Sequence, residues 1–143
     1  QYSLGAVAAV FHDVLLVLGV FSITYTFMPF SMAIPQAFIA AVLTVIGYSL
    51  NDTVVVFDRI REFTRLHTSW EGHKTVNSAL NSTLSRTINT SLTTLVVLLA
   101  IFIFGGEAIR GFMFALIVGV MVGTYSSLFI ATPVMFDTTR KKK

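Results

Sequence analysis

Cysteine is absent from all 143 residues, which excludes a disulfide framework, a thiol nucleophile and a thiolate metal site. Charge is scarce too: Asp, Glu, Lys and Arg make up 12% of the chain, against about a quarter in ordinary soluble domains. There is no glycine-rich phosphate loop, no ligand-spaced histidine cluster and no nucleophile with a nearby base, so no enzyme, metal or cofactor is expected. What fills the chain is apolar side chain, 55% of it, with a mean hydropathy of +0.79. That balance places it in a membrane. The net charge of +3 lies in loops and tail, where it informs orientation and gives no reason to expect nucleic acid.

The apolar residues fall into four runs, at about 4–27, 34–57, 87–104 and 112–136, and each is expected to cross the bilayer as a helix. The expected architecture is therefore an all-α polytopic bundle, a single membrane domain over 1–143. Pro35 sits in the first turn of the second run, where a missing N–H is harmless. Thr26 to Ala33, with Pro29, carries no charge. The connection at about 58–86 is polar, yet Val76, Leu80 and Leu84 recur every four positions, which predicts a short amphipathic helix at the cytoplasmic surface. Positive charge is concentrated there (Arg59, Arg61, Arg65, Lys74, Arg86) and in the tail (Arg140, Lys141, Lys142, Lys143), while the other connections hold only Arg110. The positive-inside bias then puts both ends in the cytoplasm. Gln1 leads directly into a span with no initiator Met, signal pattern or soluble domain, as expected for a piece of a longer chain. Gly111, Ala115, Gly119 and Gly123 lay small residues on one face of the last run, the pattern of a packing seam.

The stretch GYSLNDTVVVFDRIRE, Gly47 to Glu62, organises the rest. Asp52 lies inside the span, roughly 9 Å short of Asp58 along the axis. A carboxylate at that depth costs on the order of 3 kcal/mol on insertion scales and needs a role or a partner. Arg86 near the start of the third run is the candidate partner, because a carboxylate beside a guanidinium in low dielectric is far cheaper than either alone. A permanent structural pair, or an arginine snorkelling to the headgroups, is the alternative. Ser82, Arg86, Asn89, Thr90 and Thr93 share a helical face. Tyr48, Ser49 and Asp52 share another, His12 and Asp13 interrupt the first run, and Thr124 to Ser127 form a patch in the last. Turning these patches to a common interior, or to a partner subunit, avoids exposing them to lipid. Ser49, Asn51, Asn89, Thr90 and Thr93 are candidates to line a water path to Asp52 and Arg86, and His12 and Asp13 are a second site. Asp58, Arg59, Arg61 and Glu62 read as a solvated helix end.

AVFHDVLLVLG at Ala9–Gly19, GYSLNDTVVVFDRIRE at Gly47–Glu62, SRTINTSLTTL at Ser85–Leu95 and FGG at Phe104–Gly106 together resemble the SecF family of protein-export membrane proteins. The resemblance covers nearly the whole chain and implies membership of the resistance-nodulation-division superfamily. It implies that a SecD and SecF pair in the bacterial inner membrane uses proton flow to assist export of an unfolded polypeptide through the SecYEG translocon. It also places a proton-responsive aspartate at Asp52 and an important arginine at Arg86. Two further spans and a large periplasmic domain would precede this portion. The rival readings are a proton-driven exporter of lipids or small hydrophobic molecules, and a membrane module whose polar layer only holds subunits together.

Overall fold

Inside a bilayer the backbone has no water to bond, so each apolar run must satisfy its own N–H and C=O groups, and it does so as a helix. A computed structural model of the chain describes residues 2–24, 27 and 35–140, the side chains of 35–37 excepted. The helices are α1 (Tyr2–Thr24), α2 (Pro35–Leu66), α3 (Gly72–Phe104) and α4 (Glu107–Ser126), which passes through a π turn (Ser127–Ala131) into α5 (Thr132–Arg140). Among the described residues, four helical stretches are long and apolar enough to cross a membrane, α4 to α5 counting as one. The chain is an all-α polytopic membrane bundle. The uncharged connection expected around Pro29 and the terminal lysines lie outside the described residues.

Helices α2 and α3 run well past the apolar spans, and only 67–71 of the polar connection is non-helical. The expected amphipathic helix is present as the first turns of α3 and not as a separate element. Nothing between Gly72 and Phe104 breaks it, since that stretch holds no proline and no further glycine. Its buried face differs by one position from the expected one. Thr75, Ala79, Thr83, Thr87 and Ser91 are buried, while Val76 and Leu80 only flank the core and Leu84 is exposed. Small side chains let the backbones approach, and in lipid that packing outweighs burial of a large apolar residue.

The same logic sets the other helices. Gly5, Ala9, Asp13 and Val17 are the buried stripe of α1, and the expected seam of Gly111, Ala115, Gly119 and Gly123 is buried on α4. Large side chains such as Phe11, Leu43, Val96 and Phe104 point outward. Helix α4 packs against α1, α2 and α3. A Cβ on Gly119 would collide with Val45 of α2, and one on Gly5 would meet the Ala131 carbonyl oxygen of the π turn at 2.6 Å.

Two apolar clusters result. One joins Ala9, Val56, Phe57, Ile60, Ala79, Ala131 and Met135, and the other joins Val17, Ala41, Val45, Ala115 and Leu116. Between them lie buried polar residues from every one of these helices: Asp13 on α1, Ser49 and Thr53 on α2, Ser91 on α3, Ser126 at the end of α4 and Ser127 at the start of the π turn. The site is this polar layer.

Candidate functional site

Asp13 is 0% exposed, placed mid-helix on the small-residue stripe of α1. Its Oδ2 accepts hydrogen bonds from Ser49 of α2 and, at 2.7 Å, from Ser126 at the end of α4. Its Oδ1 lies 3.2 Å from Nδ1 of half-buried His12. A carboxylate with hydroxyl donors from two other helices ties α1, α2 and α4 together.

Asp52 stands three residues beyond Ser49 on α2, on the same face and half-buried. Its Oδ2 accepts one hydrogen bond, from Ser127 at 2.8 Å. No ion pair joins it to Arg86, although Arg86 is the cation whose charge reaches it. Arg86 is exposed and borders a cleft of about 410 Å³ between α2 and α3, lined also by Asp58, Arg59, Glu62 and Ser82. The pairing expected from depth alone is therefore a through-space relation, because Arg86 lies one position before the buried Thr87 and projects to the side.

Of the candidate path residues, only Ser49 is buried, and it serves Asp13 and not Asp52. Asn51, Asn89, Thr90 and Thr93 are exposed on the outer surface of α2 and α3. Thr90 and Thr93 return their hydroxyls to the carbonyls of Arg86 and Asn89, 2.9 Å in each case. Inside the bundle a different relay crosses the helices. Tyr48 Oη lies 3.2 Å from Ser91 Oγ, Ser91 Oγ lies 2.6 Å from Thr124 Oγ1, and Thr124 donates to the Val120 carbonyl at 2.8 Å. Ser91 and Thr53, the latter with a buried hydroxyl that has no partner among the described residues, were not singled out by the sequence. For Ser91 the available signal was the four-residue series from Thr75.

At the polar end, Arg59 donates to Glu62 at 2.5 Å and to Ser82 of α3 at 2.9 Å. These groups are solvated. Arg59→Gln is therefore expected to change the thermal midpoint of the full-length protein by the equivalent of less than about 1 kcal/mol, as exposed pairs do. A larger loss would give this pair a bracing role between α2 and α3.

A bundle that crosses the bilayer around a layer of carboxylates held by hydroxyls is, as a class, a polytopic membrane protein with ionisable groups at membrane depth. Residues 1–141 match the family model described as protein export membrane protein SecD/SecF, C-terminal, and the chain belongs to that family. It is 58% identical over 137 residues to a protein translocase subunit SecF of Rhodothermus marinus, covering 96% of this chain and 44% of that protein. A second such subunit, from Cereibacter sphaeroides, is 47% identical over 131 residues, covering 92% of this chain and 39% of that one. The chain thus spans less than half the length of these relatives. A crystal structure of SecDF in its super-membrane-facing form superposes with a TM-score of 0.85 at 40% identity, over 99% of this chain and 18% of the other.

Proposed function

We infer that this chain is the membrane portion of a SecF-type subunit in a proton-driven motor that assists protein translocation across the bacterial cytoplasmic membrane. Its partners in this reading are a SecD-type half, the SecYEG translocon and the unfolded polypeptide in transit. The motor moves protons and makes no bond. Residues 1–143 act as one membrane domain, with both ends in the cytoplasm by the positive-charge bias of the second connection and tail.

Asp52 takes and releases the proton. One observation carries this: Asp52 lies within a span, partly open, with a single neutral donor and no ion pair among the described residues. A proton can therefore arrive or leave without a salt bridge being broken. Moving one charge through the field releases ~2.3 kcal/mol per 100 mV, comparable with rearranging a buried polar contact. Arg86 stabilises the anion through space and leads from it to the cleft with Asp58 and Glu62. Asn89, Thr90 and Thr93 make α3 polar on its outer side at membrane depth, which calls for protein or water against it and fits a SecD-type half there. The relatives' names as translocase subunits leave the small-molecule exporter without support.

The test is export by the full-length complex in sealed vesicles under an imposed proton gradient. Asp52→Asn keeps the shape and the Ser127 contact, so assembly is retained while the gradient-dependent part of export is lost. Gradient-dependent export at the unsubstituted rate would remove Asp52 from this role.

A further inference from the structure

Among the described residues the most heavily bonded acid is Asp13 and not Asp52, and the two are tied together twice. Along α2, Ser49 donates to Asp13, and Asp52 follows it one turn later, about 5–6 Å away between Cβ atoms. Along the last span, the adjacent residues Ser126 and Ser127 each hold one of the acids, Asp13 at 2.7 Å and Asp52 at 2.8 Å.

Each of these serines has one hydroxyl proton and two acceptors. Ser126 Oγ lies 2.7 Å from Asp13 Oδ2 and 3.2 Å from the Gly123 carbonyl oxygen. Ser127 Oγ lies 2.8 Å from Asp52 Oδ2 and 3.0 Å from the Thr124 carbonyl oxygen. We propose that Asp13 and Asp52 bind protons as one coupled pair, with Ser126 and Ser127 as positioning residues whose hydroxyls turn between carboxylate and backbone carbonyl. This rests on Asp52 being the proton carrier.

When the acid is ionised, the serine donates to it. When a hydronium ion gives a proton to the carboxylate and leaves as water, the new carboxyl O–H donates to the serine oxygen, and the serine proton turns to the carbonyl three residues back. One O–H bond breaks in the hydronium and one forms on the carboxyl, while the hydrogen bonds change only their direction. Bonding back to the helix's own carbonyl bends a helix. Here it acts on the turn leading into the π turn, where Thr132 Oγ1 also bonds the Ser127 carbonyl at 3.2 Å. Both acids therefore act on the same few residues of backbone, and each protonation changes the donor geometry that the other acid meets.

Among the described residues, the other titratable and charged groups facing the pair are few. His12 of α1 contacts Asp13, and the Arg86 charge of α3 reaches Asp52. Tyr48 of α2 is engaged by Ser91, and Tyr125 of α4 is exposed and stacked on Phe129. Asp137 and Arg140 of α5 are exposed beyond the layer.

The test is infrared difference spectroscopy of the full-length complex in lipid nanodiscs, titrated with pH, with Asp13→Asn and Asp52→Asn assigning the carboxyl bands. Two titrating bands are expected, and the Asp13 midpoint moves by about one pH unit or more in Asp52→Asn, as coupled sites require. Ser127→Ala shifts the Asp13 band as well as that of Asp52, which a local packing role would not do. An Asp13 band that does not titrate, or that titrates identically in Asp52→Asn, overturns the coupling. Should Asp13→Asn not assemble, Ser126→Ala alters the Asp13 surroundings without touching Asp52. An Asp52 midpoint unmoved there overturns the proposal equally. These failures leave export lost in Asp52→Asn, whereas an Asp52 that never titrates removes the functional reading itself.

Discussion

Replacing Gly119 by leucine is expected to prevent α4 from docking on α2, and with it assembly of the full-length protein. Even a lone Cβ at 119 would collide with the buried Val45 side chain. Gly119→Ala is therefore expected to cost about 1–3 kcal/mol, the usual range for an overpacked core, and leucine more. The effect reaches the polar layer because the seam continues to Gly123, where a Cβ would stand 3.5 Å from Ser49 Cβ in ordinary contact. A displaced seam thus withdraws Ser126 from Asp13 and Ser127 from Asp52 together. The measurement is the monodisperse fraction and thermal midpoint of purified protein. A Gly119→Leu protein that assembles with an unchanged midpoint would show that the two helices do not depend on close approach here.

The second large effect concerns the π turn, and it is asymmetric. Ser126 and Ser127 are buried, and the next buried pair is Ala131 and Thr132, five residues on instead of four. In an uninterrupted α-helix, that extra residue would turn α5 by about 100° relative to α4. Met135 would then leave the cluster it shares with Phe57 and Ile60. Inserting one alanine after Phe129 adds a second uncompensated residue. The expected cost is about 2–5 kcal/mol, that of emptying the Met135 site. Deleting the exposed Phe129 lets the segment close as ordinary α-helix with both flanks in register, so the folded yield is retained. The comparison is of folded yield and thermal midpoint for the two variants. Equal behaviour of insertion and deletion would mean that the turn does not set the register of α5.

Much of the fold was legible because lipid imposes one rule. Apolar runs of sufficient length become helices, and the small-residue series at Gly111 to Gly123 marks a seam that is buried as expected. That Asp13 and Asp52 share a level with the Thr124 to Ser127 patch was legible too, since counting residues along a helix gives relative height. Azimuth was not. Ser82, Arg86, Asn89 and Thr93 share a face in sequence, but that face is the outer one, because Thr75, Ala79, Thr83, Thr87 and Ser91 occupy the contact. Both series have helical spacing, and periodicity alone does not say which packs inward. Ser49 lies one turn from Asp52 yet bonds Asp13, a choice set by where α1 sits and not by spacing along α2.

By itself, then, the sequence determined the environment, the number of spans, the level of each ionisable group and the family motifs, all of which follow from local composition and a fixed rise per residue. Which acid meets which donor was decided only in three dimensions, by how closely small residues let the helices approach and by one wide turn at Ser127–Ala131. The reason is physical. In lipid, hydrophobicity does not sort one helix face from another, so steric fit and hydrogen bonding between distant segments set the rotation of each helix.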